Sequence, residues 1–124
     1  MTELLYKEEC YKIIGKCYEV HREMGIGFLE IVYKDALEYE FKRAGIPFER
    51  EKEYTVNYKG ITLPRKFYAD FVVFDKIILE AKCVSSIPEA FIAQCLNYLK
   101  VSGNRIALLV NFGELSLFHR RIVF

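Results

Sequence analysis

The chain has 124 residues, the size of one ordinary domain that can bury a core without disulfides or structural metal. At 52% hydrophobic and 28% charged it is not a disordered chain, and no stretch nears the roughly 20 apolar residues of a membrane span. A formal net charge of +1 gives no overall basic footprint, so nucleic-acid binding would need a local basic surface. The opening MTELLYKEEC is charged too early for a secretory signal. The four cysteines, Cys10, Cys17, Cys83 and Cys95, show neither CxxC spacing nor a nearby histidine. They are expected to be buried, reduced thiols of a cytoplasmic protein rather than a metal knuckle.

In chain order, Thr2 caps a first helix, with Glu3 in its opening turn, and Leu5, Ile13, Ile14, Cys17 and Val20 give it a helical period. Met24-Gly25 ends it, and Gly27 keeps the break open. A second helix is expected over Phe28–Ala44, stopped by Gly45 and kept from resuming by Pro47. Phe48–Tyr58 reads as a strand whose outer face carries Glu49, Glu51 and Glu53, turned at Asn57-Tyr58-Lys59-Gly60. A hairpin follows from Arg65 to Lys82. Ser86-Ile87-Pro88-Glu89 matches a capping box for a helix running to Ser102 and stopped by Gly103. Arg105–Asn111 is a short buried strand, and Leu115–Val123 a more polar one bearing His119-Arg120-Arg121. The order α-α-β-β-β-α-β-β predicts an α/β fold, a mixed sheet flanked by helices, over residues 1–124 as one domain.

The hairpin RKFYADFVVFDKIILEAK carries the chemistry. Both alternate faces of its arms are apolar, as in a sheet covered on each side, yet Asp70, Glu80 and Lys82 stand within it. Buried charges pair, bind a metal or do chemistry, because unpaired burial is expensive. A strict two-residue Asp75-Lys76 loop would set Ala81 opposite Asp70. A three-residue loop or bulge, which sets Asp70 against Glu80 or Lys82, is therefore expected. Converging carboxylates of Asp70 and Glu80 suit a hard divalent cation such as Mg²⁺ or Mn²⁺, with the Ala81 carbonyl and waters as further ligands. Lys82 would then orient water or stabilise developing negative charge, as the one cation the sequence sets beside the pair. The bland account is a Lys82 salt bridge to Glu80 or Asp70 on an exposed sheet edge. Glu30, at the start of the second helix, also gains from the helix dipole. Gln94 and Tyr98, at i and i+4 on one helix face, read either as a satisfied core pair or as groups that touch a phosphate, a carboxylate or a base.

Gly27-x-x-Glu30-x-x-Tyr33, Tyr68-Ala69-Asp70, Glu80-Ala81-Lys82 and Gln94-x-x-x-Tyr98 together resemble the GxxExxY proteins of the PD-(D/E)XK, restriction-endonuclease-like superfamily. The resemblance runs from the first helix to the Arg105–Asn111 strand, with Ala69 where the superfamily name has Pro. It implies an αβββαβ core, here with an extra N-terminal helix and C-terminal strand. It also implies Asp70 and Glu80 as metal ligands, Lys82 as the catalytic lysine, Glu30 as an accessory acid reaching the metal, and Gln94 and Tyr98 as a QxxxY element. The activity implied is Mg²⁺-dependent cleavage of DNA, or secondarily RNA, phosphodiesters. A binding module that keeps the fold without cutting is the alternative. A homodimer or a larger complex is plausible for so small a nuclease, which reaches one strand by itself. Arg22, Lys42, Arg43, Arg65, Lys66, Lys100, Arg105, Arg120 and Arg121 are scattered, and form either a solvated mixed-charge surface or phosphate contacts.

Overall fold

A computed structural model describes residues 5–124. The Thr2 cap lies outside the described residues. The elements are α1 (Lys7–Met24), α2 (Glu30–Ala44), β1 (Phe48–Tyr58), β2 (Ile61–Val73), β3 (Ile77–Lys82), α3 (Glu89–Ser102), β4 (Ile106–Asn111) and β5 (Phe118–Val123). This is the expected order, αβββαβ flanked by α1 and β5. The five strands form one sheet in chain order, antiparallel except for β3 against β4. That parallel step is bridged by α3, since a parallel pair needs a crossover rather than a tight turn.

Both sheet faces are covered, as the apolar runs demanded. Ile13, Cys17 and Val20 of α1 and Tyr33, Leu37 and Phe41 of α2 pack on Phe71, Val73, Ile77, Leu79, Leu108 and Val110. On the other face Cys95 and Leu99 of α3 pack on Ala69, Val72, Ile78, Ala107 and Leu109. Fully burying one such side chain stabilises the fold by about 1.5–3 kcal/mol. Cys10, Cys17 and Cys95 are buried free thiols as expected, whereas Cys83 is half-buried and its thiol donates to the Phe28 carbonyl at 3.3 Å.

Some boundaries differ from expectation, each for a local reason. α2 starts at Glu30, not Phe28, because Leu29 is extended and the Phe28 amide is drawn to the Tyr33 hydroxyl. The Ser86 capping box does not form. Pro88 itself is the N-cap, with ψ 154, and no side chain caps the helix. Proline forces the residue before it away from helical angles, so the helix opens only after it. β2 starts at Ile61, four residues earlier than expected; a register shift between Thr55 and Asn57 absorbs Pro64, which lacks an amide for the ladder. β5 begins at Phe118 rather than Leu115, after a loop organised by Asn111.

That loop positions the residues just beyond β3. The Asn111 side chain is fully buried, accepting from the Val84 amide at 3.0 Å and donating to the Val84 carbonyl at 2.9 Å. Gly113 packs so closely that a Cβ there would meet the Val84 backbone, with its nitrogen at 2.6 Å. Gly113→Ala is therefore expected to destabilise the protein by about 1–3 kcal/mol, as overpacking against unyielding backbone does. Gly15→Ala, a helical position with open space around it, is the control expected to be neutral or mildly stabilising. Urea denaturation of both variants measures the contrast.

Candidate active site

The β2–β3 register sets the site. Phe71↔Leu79, Val72↔Ile78 and Val73↔Ile77 pair across a three-residue loop, Phe74-Asp75-Lys76, as expected. One step further in this register Asp70 meets Glu80. There the ladder gives way to side chains. The Asp70 amide donates to Glu80 Oε2 at 2.8 Å, and the Ala81 amide donates to Asp70 Oδ2 at 2.9 Å. Each carboxylate thus has one oxygen tied to the opposite strand and the other free to face a cation.

The free oxygen of Asp70 meets a lysine that the sequence reading did not assign. Lys34 Nζ, reaching in from α2, donates to Asp70 Oδ1 at 2.7 Å and lies 3.0 Å from Glu30 Oε2. The expectation that Lys82 is the one cation beside the pair is thus corrected. The signal was present: Lys34, Leu37 and Phe41 fall at three-to-four spacing on the stripe that α2 buries. Tyr33 sets the phase of that helix. Its ring is fully buried and stacks on Phe112, centroids 4.8 Å apart, and its hydroxyl donates to the Gly25 carbonyl at 2.6 Å. Anchored this way, the first turn of α2 aims Glu30 and Lys34 at β2.

Lys82 is looser. Its Nζ is 3.8 Å from Glu80 Oε1 and 5.0 Å over the Phe91 ring. The bland account of an exposed edge salt bridge fails on position, because β3 is the central strand and Glu80 is 2% exposed. Gln94 and Tyr98 are not a core pair either. Gln94 is exposed and Tyr98 half-buried, with its hydroxyl donating to the Tyr68 carbonyl at 3.0 Å. With Lys82, Phe67 and Asn97 they line a cleft of about 550 Å³. Among the described residues neither hydrogen-bonds Asp70 or Glu80, so the cleft adjoins the carboxylates without joining them. Ala81 is fully buried between the two acids.

Burial, and secondarily the Asp70 charge, push the Glu80 carboxyl up to about 8. Burial opposes the charge on Lys34, but its bonds to Asp70 and Glu30 outweigh that and hold the ammonium above the ordinary lysine range. Burial also pushes the Tyr98 phenol up to about 12, helped by the Glu80 and Asp70 charges. Among the described residues no three His, Cys, Asp or Glu side chains gather closely enough to hold one ion. The acidic set is a close pair, Asp70 and Glu80, with Glu30 set apart behind the Lys34 ammonium.

A mixed sheet between helical layers, with two acids and a lysine meeting on its central strands, defines a carboxylate–lysine α/β domain. The chain belongs to the PD-(D/E)XK nuclease superfamily, whose family model matches residues 7–122. Its fold is similar to the crystal structure of SSO0001, with a TM-score of 0.62 and 22% identity. That match covers 76% of this chain and 50% of the other, so the chain spans half the length of that relative. Among curated proteins none matches it in sequence.

Glu80 also makes stability depend on pH in a predictable sense. Its folded pKa is raised above the unfolded value of about 4.5, so its favourable contribution is complete below about 4.5 and is lost as pH rises through about 8. In chelator-treated protein, Glu80→Gln is expected to raise Tm relative to wild type by an amount that is small at pH 5 and grows toward pH 9. Paired thermal melts across that range check it; a difference that shrinks with pH contradicts the assignment.

Proposed function

We propose that the chain is a divalent-cation-dependent nuclease of the GxxExxY type, hydrolysing phosphodiester bonds of nucleic acid, DNA before RNA. The observation that carries this reading is the buried carboxylate pair, each member with one oxygen tied to backbone and the other turned to a lysine. The residues fit a cation. Their donors are hard oxygens, and the Lys34 ammonium between Asp70 and Glu30 is a positive group already seated at that corner. Asp70 and Glu80 would hold Mg²⁺ or Mn²⁺, with the Ala81 carbonyl as a further donor and Glu30 as an accessory acid on the far side of Lys34. Such an ion, when bound, supplies charge to polarise the phosphodiester and acidify water.

The chain's own groups do the rest. Lys82, between Glu80 and the cleft, stabilises the negative charge that builds on phosphate oxygens during attack. Gln94 offers an amide to a phosphate or a water, and the half-buried Tyr98 ring offers a face on which a base stacks. No helix among the described residues is long and apolar enough to cross a membrane. We read residues 1–124 as one nuclease-like domain acting in the cytoplasm, as a homodimer or within a larger complex. One observation favours a second reading, a nucleic-acid- or partner-binding module that does not cut. Lys34 already pairs with Asp70, as in a structural ion pair.

Thermal melts with and without Mg²⁺ or Mn²⁺, beside cleavage assays on labelled DNA and RNA, decide between the two. Metal is expected to raise the Tm of wild type, and Asp70→Asn and Glu80→Gln to abolish both that shift and cleavage. Lys82→Ala is expected to keep the shift while cutting about 10²–10³-fold more slowly, the usual loss when one transition-state donor is removed. Gln94→Ala should cost only about tenfold, as a positioning contact does. Wild type that neither shifts with metal nor cleaves either substrate rejects the nuclease reading in favour of the binding module.

A further inference from the structure

The two lysines facing the pair are not equivalent. Lys82 stands 3.8 Å from Glu80 Oε1, beyond hydrogen-bond reach. Lys34 is buried and makes a direct 2.7 Å bond to Asp70 Oδ1, the one oxygen of that carboxylate not tied to backbone. Its other contact, 3.0 Å to Glu30 Oε2, is to a side chain 40% exposed, one helical turn earlier on α2. The lysine therefore bridges an inner acid and an outer acid.

A divalent cation held by Asp70 and Glu80 would need carboxylate oxygen not tied to backbone, and the ammonium already holds that oxygen of Asp70. A single charge and a double charge on one buried oxygen repel strongly, because little water screens them. We propose that Lys34 is a tethered internal competitor for the metal site. In metal-free protein its ammonium holds Asp70 Oδ1 and answers that buried charge. When a divalent cation binds it lets go and moves out to Glu30, the exposed end of its bridge. The inference rests on the nuclease reading of the site and adds what controls its metal occupancy. The same pairing answers the Asp70 charge, buried to 6% exposure, before metal arrives.

The test is calorimetric titration of Mg²⁺, and separately Mn²⁺, into wild type, Lys34→Met and Lys82→Ala. Methionine keeps most of the packing of the lysine stem without the charge. Lys34→Met is expected to melt lower than wild type without metal and to bind metal at least about tenfold tighter. Lys82→Ala deletes the same charge from a site that is not hydrogen-bonded, and should tighten binding much less. A direct readout uses ¹⁵N-lysine-labelled wild type. The buried Lys34 ammonium should give a slowly exchanging resonance, assigned by its absence in Lys34→Met, that is lost as Mg²⁺ saturates the site. A resonance unchanged at saturating Mg²⁺, or equal affinity in wild type and Lys34→Met, overturns the inference while leaving the nuclease reading intact. Equal tightening in the two lysine variants overturns it as well. If Lys34→Met does not fold, the ammonium titration of wild type decides alone. Metal binding by Lys34→Met but not by wild type supports the competitor and counts against wild type as a metal-dependent nuclease. No binding by any of them overturns both.

Discussion

Everything at the site depends on an exchange of amides and carboxylates between β2 and β3. The Asp70 amide bonds to the Glu80 carboxylate, and the Ala81 amide bonds to the Asp70 carboxylate. Backbone amides are strong donors, and hydrogen bonds to ionised groups are worth about twice those between neutral ones. The exchange therefore replaces the ladder at this point without leaving buried amides unpaired. It also places two acids next to each other inside the protein. They are tolerated because burial raises the Glu80 carboxyl toward its protonated form and lysines face the charge that remains. The surrounding chain supplies those cations from two directions, Lys34 from α2 and Lys82 from β3 itself.

The approach of α2 follows from packing rather than from charge. Tyr33 stacks on Phe112 and bonds to Gly25, while Leu37 and Phe41 join the core beneath the sheet. A helix turns about 100° per residue, so fixing Tyr33 fixes where Glu30 and Lys34 point. The spacing Gly-x-x-Glu-x-x-Tyr is thus a mechanical unit. Its tyrosine sets the helix phase, its glutamate sits one turn before the lysine, and the glycine-bearing loop is held down by the tyrosine hydroxyl. Turning α2 by one residue would withdraw the ammonium and leave Asp70 buried without its cation.

Outside the site the charges mostly answer one another. Arg50 reaches Asp35 and Glu38, Lys42 reaches Glu38, Lys66 reaches Glu53, and Lys76 reaches Glu9. Exposed pairs of this kind contribute about 0–1 kcal/mol each, so they shape the surface potential more than the stability. They also explain why a net charge of +1 carried so little information. The positive groups at the candidate site are two lysines against buried acids, and a charge sum over the whole chain does not register them.

Hydrophobic period, glycine stops and turn residues determined every element within the described residues, because those signals act over a few neighbours along the chain. The strand Phe48–Tyr58 and the stops at Gly45 and Gly103 were legible to the residue. Parity at the hairpin left a three-residue loop or a bulge as the ways to set Asp70 against Glu80 or Lys82, and the fold uses the loop. Local signals misled at Ser86, where proline overrode a capping pattern, and before Pro64, where a bulge let the strand continue. What only the tertiary structure decided is which charges meet. That Gln94 and Tyr98 line a cleft rather than a core depends on how α3 crosses the sheet. That Lys34 reaches Asp70, 36 positions away, depends on α2 packing under β2. Periodicity puts a lysine on a buried stripe, but its partner lies on another element, and only the folded chain brings the two within bonding distance.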